Sequence, residues 1–379
     1  MFREFLLTVR LQTSVLILLA CSCFFTYTAT AQATAGQIDV KILARGLHHP
    51  WGMAFLPDGR MLVTERIGRL RIVTPDGRIS GPVKGVPTVF SEQQGGLLDV
   101  ALDPNHAANR LIYLSYAEPA GASASTAVAS AELVGNSLKN LKVIFRQEPK
   151  TIGGQHFGSR LVFASDGNLF ITLGDRGSHM EDAQNLDNHI GTIIRIRPDG
   201  AIPDDNPFAK NAKAKPEIWS YGHRSIQGAA IYPETGELWI HEHGPRGGDE
   251  INIPKAGKNY GWPKANYGVH YSMAPIKDEH AEQGFEEPIH YWTPSVAPSG
   301  MLFYNGDLFP RWKGNLFVGT LAGRHLIRMT ISNNKILNEE QLLQNTLRFR
   351  DVEQGPDGAI YLLTDEDDGK ILKITPAAQ

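Results

Sequence analysis

A short hairpin pattern that recurs six times constrains the fold of this chain more than any other feature. The first copy, from Trp51 to Glu65, reads WGMAFLPDGRMLVTE: an apolar run, a Pro-Asp-Gly turn and a second apolar run. β-Rich runs joined by tight turns of Asp, Asn, Gly or Pro predict antiparallel hairpins. The other copies begin at Leu97, Ser159, Gly228, Gly300 and Val352.

Six copies give roughly 58 residues per unit, longer than the usual propeller repeat of about 40–50 residues, with the surplus in loops. The sequence therefore predicts an all-β fold: a six-bladed β-propeller of four-stranded antiparallel blades, formed as one domain by residues 34–379. Ile38–Ala44 is expected to pair with Gly369–Ile374 and close the ring. A β-sandwich or two β-domains would not naturally repeat one hairpin six times. Helical periodicity after the leader is limited to a weak possibility at Ala127–Ala131.

The first 33 residues are predicted to be a cleaved signal peptide. A weakly basic start precedes an apolar run from Leu11 to Phe25, and Ala31-Gln32-Ala33 has the form of a signal-peptidase site. This run is too short to favour a stable membrane span. Lipid attachment at Cys21 is a less favoured alternative, since Leu19 fits a lipoprotein signal poorly.

Cysteine usage and charge narrow the class of protein further. Both cysteines, Cys21 and Cys23, lie in the leader, so the mature chain has no disulfide and no thiolate site. Export without disulfides indicates a bacterial periplasm. The formal net charge is only -3, which gives no indication of a nucleic-acid partner.

Polar residues recur just before the hairpins, at the same phase of the repeat, and are expected to converge at one mouth of the propeller channel. His156, between glycines, is the leading candidate for a general base because imidazole titrates near neutral pH. Arg348 and Arg350 alternate on a strand and so face one side. With Arg224 they predict a pocket for a polyanionic ligand, although surface ion pairs would also explain them.

The loop within Trp239–Trp262 could hold a metal. Its Gly-Pro and Gly-Gly pairs turn backbone carbonyls outward, and Asp249 and Glu250 supply hard oxygen ligands of the kind that calcium prefers. An acidic turn is the alternative. His241 and His243 share a face but lack a nearby third ligand for zinc. The sequence has no dinucleotide fingerprint, phosphate loop or nucleophile elbow in the required context.

From Gly46 to Pro376 the chain resembles the PQQ-dependent soluble aldose sugar dehydrogenases of the soluble glucose dehydrogenase-like family. The motifs that carry this resemblance are PWGMAFLPDGRMLVTER, QGGLLDVALDP, QHFGSRLVF, IPDDNPF, EIWSYGHR, EHGPRGGDEINIPKAGKNYGWP and RDVEQGPDG. The resemblance implies a periplasmic quinoprotein that oxidises the anomeric hydroxyl of aldoses to lactones, with hydride transfer to PQQ and with Ca²⁺ as a second cofactor.

The resemblance also implies roles for individual residues. His156 matches the base that takes the anomeric proton. The carbonyls of Gly244 and Pro245 match ligands of the cofactor's calcium, whereas Glu250 and the carbonyl of Tyr260 match a second, structural calcium site. Asp249 thereby loses its place as a ligand. The positions that match the cofactor-binding set are Gln94, Arg224, Ser225, Tyr271, Thr320, Leu321, Ala322, Arg348 and Arg350.

Two departures from the family pattern bear on cofactor affinity. Ser225 stands where the family often has Asn, and Ala322 stands where a cofactor-binding lysine is expected. Arg324 is the possible substitute for that lysine, two residues further along the chain. The expectation is weaker PQQ binding than in typical relatives.

Two other functions remain open at this point: a calcium-dependent propeller lactonase, and a non-catalytic propeller that binds protein or carbohydrate. The sequence does not identify the preferred sugar or the external electron acceptor, nor does it distinguish a monomer from a homodimer. Gln155, Arg176 and Trp292 are candidates for substrate contacts.

Overall fold

The computed structural model describes residues 38–377, and these form six antiparallel sheets. The predicted signal peptide, including Cys21 and Cys23, lies outside the described residues. Blade 1 contains β2 (Pro50–Phe55), β3 (Met61–Glu65) and β4 (Arg69–Val73) after the closing strand β1 (Ile38–Leu47). Blade 2 contains β5 (Leu97–Leu102), β6 (Leu111–Ala120), β7 (Ser123–Val134), β8 (Ser137–Arg146) and β9 (Thr151–Ile152), with helix α1 (His106–Asn109) between β5 and β6.

The remaining blades follow in chain order. Blade 3 contains β10 (Gly158–Phe163), β11 (Leu169–Leu173), β12 (Thr192–Ile196) and β13 (Ile218–Tyr221). Blade 4 contains β14 (Ile226–Ile231), β15 (Leu238–Glu242), β16 (Asp249–Asn252) and β17 (His290–Trp292). Blade 5 contains β18 (Pro298–Phe303), β19 (Leu316–Thr320), β20 (Leu326–Ser332) and β21 (Lys335–Leu342). Blade 6 contains β22 (Phe349–Gln354), β23 (Ile360–Thr364) and β24 (Gly369–Pro376), and 3₁₀ turns occupy Met180–Gln184, Ala281–Gln283 and Pro310–Trp312.

The predicted six-bladed propeller is confirmed, including its closure. β1 pairs antiparallel with β24, with Val40 opposite Ile374, and so forms the outermost strand of blade 6. The innermost strands β2, β5, β10, β14, β18 and β22 each contact the next around a closed ring. The first and last strands of residues 38–377 are therefore held in one sheet, which leaves the ring without an open seam.

Asp-Gly turns make the hairpins, as the sequence predicts. Asp58 accepts a hydrogen bond from the backbone N–H of Arg60 at 3.1 Å, and Gly59 adopts a φ of 84°. Asp166 and Gly167 repeat this arrangement in blade 3, with a φ of 82° at the glycine. A carboxylate that caps the turn and a glycine in the left-handed region are what such tight turns require.

Blades 1 and 2 depart from the predicted four strands. Blade 1 has three strands and an isolated bridge between Val73 and Ile79, whereas blade 2 has a fifth short strand paired with β7. The weak helical expectation at Ala127–Ala131 is wrong, because these residues lie inside β7. Ala127, Ala129 and Ala131 alternate by two and pack into one hydrophobic cluster. Their spacing is that of one strand face rather than of a helix.

The floor of the channel is a charged cluster around Arg160, which projects from β10. Its guanidinium lies 2.9 Å from Asp351 and 3.3 Å from Asp99, and donates to the carbonyls of Gln227 and Arg350. Burial raises the pKa of Asp99 to about 6, although Arg160 opposes this shift. One arginine thus faces two buried carboxylates, since Asp351 also has a pKa raised by burial.

This cluster gives the protein a testable pH dependence. A carboxyl whose folded-state pKa is raised contributes stability below its unfolded pKa, and that contribution is lost as pH rises through the folded value. We expect Asp99→Asn to gain stability relative to the parent protein between about pH 4 and 6, by roughly 1–3 kcal/mol. Urea unfolding of both proteins across this range measures the difference. A pH-independent difference would contradict the assignment.

The surplus length lies in two long connections, residues 177–216 and 263–298. Each range contains a strand of its blade, the buried β12 in the first and β17 in the second, together with loops and a 3₁₀ turn. The second connection approaches the channel mouth through Tyr271, whose ring lies 5.9 Å from the guanidinium of Arg224. Within residues 38–377 no helix has both the length and the apolar character needed to cross a membrane.

Candidate active site

A cavity of about 340 Å³ opens at one mouth of the channel, and part of the predicted cofactor-binding set lines it. Each blade delivers residues just before or at the start of its innermost strand, so equivalent positions converge here. The residues that line this cavity include Gln94, Phe157, Gly158, Ala297, Leu321, Ala322, Arg348 and Arg350, together with His49, Trp51, Arg66, Leu98, Gln227, His243 and Asp365.

His156 is held by hydrogen bonds on its ring and on its backbone. Its Nδ1–H donates to Asp175 at 2.6 Å, and its backbone N–H donates to the side-chain oxygen of Gln94 at 2.9 Å. The other carboxylate oxygen of Asp175 accepts from the indole N–H of Trp262 at 2.7 Å. Because Asp175 fixes the proton on Nδ1, Nε2 carries the lone pair and can accept a proton.

The backbone around His156 is strained and tightly supported. His156 has a φ of 48°, an uncommon conformation for a residue other than glycine, and such strain often occurs at functional sites. Arg176 is buried, donates to the carbonyls of Gln155 and Gly153, and stacks 3.5 Å above the Phe157 ring. Burial lowers the pKa of Arg176 to about 10. Arg176 therefore positions the loop and does not present its charge to a substrate.

Arg348 and Arg350 meet around one carboxylate. Arg350 donates to Asp365 at 2.5 Å, and the nearest guanidinium nitrogen of Arg348 lies 3.6 Å from the same oxygen. Burial by itself would raise the pKa of Asp365, but Arg350 and a hydrogen bond from His49 outweigh it and hold this pKa far below its usual range. Asp365 offsets only part of the positive charge.

Arg66 completes this cationic wall and was missed in the sequence analysis. It lines the cavity and donates to the carbonyl of Gln93 at 2.7 Å. Burial lowers its pKa, Asp365 opposes the shift, and Arg350 and Arg348 add to it. In the sequence Arg66 is marked only by its position directly after β3 of the first hairpin. The fold is what brings it next to the charged residues of blade 6.

Arg224 forms the other side of the mouth. It donates to the carbonyl of His243 at 2.9 Å, and its guanidinium lies 5.2 Å from the ring centre of Trp262 and 5.9 Å from that of Tyr271. The Nε atoms of Arg224, Arg350 and Arg66 are buried and have no hydrogen-bond partner within the described residues. Arg66 and Arg350 line the cavity, and Arg224 contacts it through the carbonyl of His243. Guanidinium groups in this arrangement are suited to a ligand with several carboxylates.

The predicted contacts on blade 5, Thr320 to Ala322, form a turn at the mouth of the channel, where Leu321 offers its backbone carbonyl. The carbonyl of Leu321 accepts from Arg348 at 3.2 Å, and the Thr320 hydroxyl shapes the turn through hydrogen bonds to the backbone of His325. Ala322 is exposed and lines the cavity without offering a charge. Arg324 does not replace the expected lysine at this point, because its guanidinium donates to the carbonyl of Thr346 at 2.7 Å. Ser225 is buried beside Gln227, 3.3 Å from its amide nitrogen.

Asp249 pins the Gly244–Pro245 loop to the next blade. One carboxylate oxygen accepts from the N–H of Gly244 at 2.9 Å. The other accepts three hydrogen bonds, from the hydroxyl of Ser295 and from the N–H groups of Val296 and Ala297. A Cβ on Gly244 would lie 2.2 Å from the carbonyl oxygen of Gly247. The carbonyls of Gly244 and Pro245 accept no hydrogen bond within residues 38–377, which leaves them free for a hard cation.

Behind this loop lies a buried acidic pair. Burial, and then the neighbouring Glu242, raise the pKa of Glu250 well above its usual value. The side-chain oxygen of Asn252 beside them is buried and has no hydrogen-bond partner within the described part of the chain. Tyr260 is packed nearby, stacked 4.8 Å from the His223 ring, whose Nδ1–H donates to Glu242. Carboxylate and amide oxygens of this kind suit calcium.

The remaining predicted candidates have structural roles. Burial lowers the pKa of His241 to about 3 and that of His243 to about 4, and each ring donates to a carbonyl of blade 5. Trp292 is wrong as a substrate contact: it is 7% exposed and packs in a core cluster, where its indole N–H donates to Glu339. Trp292 lies in the short strand β17, and the sequence around it gives no signal for which face of the blade its side chain takes.

The chain is similar in sequence and in structure to known sugar dehydrogenases. The family model described as glucose / sorbosone dehydrogenase matches residues 47–373. The chain is 46% identical to the aldose sugar dehydrogenase YliI of Escherichia coli, over 91% of this chain and 94% of that protein. A crystal structure of a glucose dehydrogenase is 50% identical, with a TM-score of 0.86 over 90% of this chain and 100% of that one. The PQQ-bound aldose sugar dehydrogenase of Streptomyces coelicolor is 28% identical, with a TM-score of 0.74 over 91% of this chain and 100% of that one.

Proposed function

This chain belongs to the glucose/sorbosone dehydrogenase family, and from that premise we propose that it oxidises aldose sugars at the anomeric hydroxyl to lactones, using PQQ and Ca²⁺. The observation that carries the proposal is the geometry of His156. Its Nδ1 is fixed on Asp175 at 2.6 Å, which leaves Nε2 as the proton acceptor. Its backbone N–H donates to Gln94, which lines the same cavity as Arg348 and Arg350. A proton acceptor and a polyanion site therefore lie at one mouth.

In the proposed reaction His156 accepts the proton, and Asp175 orients His156. An aldose whose anomeric hydroxyl lies against Nε2 of His156 loses that proton to the imidazole as its C1–H bond breaks, and lactone forms. Asp175 stabilises the resulting imidazolium, and Trp262 and the backbone of Gly177 hold Asp175 in place. Bound PQQ supplies the acceptor for the hydride from C1, and Ca²⁺ supplies polarisation of the accepting carbonyl.

The residues present fit both cofactors. Arg224, Arg348, Arg350 and Arg66 would hold the carboxylates of PQQ, with Gln94, Ser225, Tyr271 and the Thr320–Ala322 turn around it. The free carbonyls of Gly244 and Pro245 would take the catalytic calcium. Glu250 and the carbonyl of Tyr260 would take a structural calcium, since an ion there offsets the repulsion between Glu250 and Glu242.

The proposed location is the periplasm, and the proposed partner is an external electron acceptor. The predicted signal peptide supports export to the periplasm, where an external acceptor would reoxidise the cofactor. Arginines at the mouth argue against the lactonase alternative, which needs a channel-centred metal held by side chains. The arginines do not distinguish the dehydrogenase from a non-catalytic binding protein, so an activity assay must do so.

The test is reconstitution of the purified protein with PQQ and Ca²⁺, followed by glucose and a redox dye. We expect dye reduction that requires both cofactors. Hydrolysis of a lactone without PQQ would instead support the lactonase, and neither activity with any aldose in a panel of mono- and disaccharides would support the binding protein.

Ala322 yields a prediction about cofactor affinity. A lysine at this exposed position of the cavity would add a charge-assisted contact, worth about 1.5–3 kcal/mol or roughly ten- to a hundredfold in affinity. We expect Ala322→Lys to tighten PQQ binding by that factor in a fluorescence titration. Ala322→Met, of similar length and without charge, is the matched control and should not. Unchanged or weaker binding in the lysine variant would contradict the prediction.

A further inference from the structure

A second group of metal-ligating side chains lies beside the cavity and shares one residue, His49, with its lining. His48 and His49 follow the closing strand β1, and Asp367 lies in the β23–β24 loop. Their donor atoms all lie within 4.8 Å of one another. The Nε2 atoms of His49 and His48 lie 3.0 Å and 3.7 Å from the same carboxylate oxygen of Asp367.

The hydrogen bond on the far side of His49 defines which nitrogen is free. Nδ1–H of His49 donates to Asp365 at 2.7 Å, so in the neutral ring Nε2 carries a lone pair that points toward the Asp367 carboxylate. A lone pair and an anionic oxygen at 3.0 Å repel each other, so either a second proton on the ring or a metal ion lies between them. A histidine whose second ring nitrogen donates to a carboxylate is the usual arrangement around a bound metal.

We propose that His48, His49 and Asp367 form a binding site for a divalent transition metal, with Zn²⁺ as the representative ion. Two imidazoles and one carboxylate are a donor set that Zn²⁺, Co²⁺ or Cu²⁺ prefers to the oxygen-only sites of Ca²⁺. Ligands at about 2.0–2.2 Å from a tetrahedral ion lie roughly 3.3–3.6 Å apart. The separations of 3.0 and 3.7 Å from Asp367 lie on either side of this range, so small side-chain shifts would complete the site. Water completes the fourth position.

The position of this site gives the metal a structural effect. It joins the segment between the closing strand and blade 1 to a loop of blade 6, at the junction where the ring closes. His49 has a φ of 41°, and its backbone N–H donates to the carbonyl of Glu366. A metal here would stabilise the closed ring, because it binds the folded arrangement of two distant segments.

Metal binding is tested on the purified, Ca²⁺-saturated protein, with and without PQQ. Calorimetric titration with ZnCl₂ should reveal one tight site per chain, and bound Co²⁺ should give the absorption of a four-coordinate ion. The melting temperature should rise with Zn²⁺. His48→Ala and Asp367→Asn should each weaken binding at least about tenfold and abolish the rise.

His179→Ala is the matched control, because His179 pairs with Asp182 on the surface without a second imidazole. It should leave Zn²⁺ binding unchanged. His49→Ala also alters the cavity, so the conclusion depends on His48 and Asp367, whose side chains are 42% and 88% exposed. Absence of a one-to-one site, or a site that survives both substitutions, would overturn the proposal and identify His49 as an imidazolium shared by two carboxylates.

Discussion

Replacement of His156 by alanine is expected to lower kcat for aldose oxidation by roughly 10²–10⁴-fold, the usual contribution of a positioned general base. PQQ affinity should change little, because the imidazole contacts Asp175 and the cofactor is proposed to bind the arginines. Steady-state dye reduction by the reconstituted variant measures the first quantity, and fluorescence titration measures the second.

Two further variants make this result specific to proton transfer. Asp175→Asn keeps the shape of the side chain but offers an amide to Nδ1, which weakens the orientation of His156 and should lower kcat less than His156→Ala does. His179→Ala, a surface histidine, should leave kcat unchanged. A kcat for His156→Ala within tenfold of the parent protein would remove His156 from its assigned role.

Asp249→Ala is expected to produce the largest loss of stability. The carboxylate accepts from the N–H groups of Gly244, Val296 and Ala297 and from the hydroxyl of Ser295, and each buried donor left unpaired costs about 1–3 kcal/mol. After partial relaxation we expect a loss of roughly 3–5 kcal/mol. Calcium affinity at the Gly244–Pro245 carbonyls should fall with it, since the loop is no longer held.

Thermal unfolding at saturating and at limiting Ca²⁺ measures both effects. Asp307→Ala is the control, because Asp307 is almost fully exposed and its ion pair within residues 38–377 is with Lys313. Exposed pairs of this kind contribute little to stability. A melting temperature within a degree or so of the parent would show that Asp249 does not hold the loop.

The fold was predictable because one pattern repeats. Each hairpin carries its own turn chemistry, as at Asp58 and Asp166, and six copies admit few arrangements other than a ring. Pairing between Ile38–Ala44 and Gly369–Ile374 was predictable because ring closure needs a strand from each end. The extra strand of blade 2 was not, since Thr151–Ile152 is too short to give a pattern.

The sequence predicted the site residues that share one phase of the repeat, but not those that come together through contacts between blades. Phase in the repeat places His156, Arg348 and Arg350 at one mouth, and the structure brings them there. Arg66 follows β3 in blade 1, whereas Asp365 follows β23 in blade 6. Their approach depends on how the ring closes, and no local sequence pattern contains that information. A three-residue strand such as β17 is too short to show which side chains face the core, so the burial of Trp292 could not be predicted.

The most direct test is a single turnover without external acceptor. The protein loaded with PQQ and Ca²⁺ is mixed with an aldose or with the same sugar carrying deuterium at C1, and the cofactor absorbance and the sugar product are followed. We predict one lactone formed per cofactor reduced, more slowly for the deuterated sugar, and at least about a hundredfold more slowly in His156→Ala. Cofactor reduction without lactone, or equal rates for the two sugars and for His156→Ala, would contradict oxidation at C1 by His156.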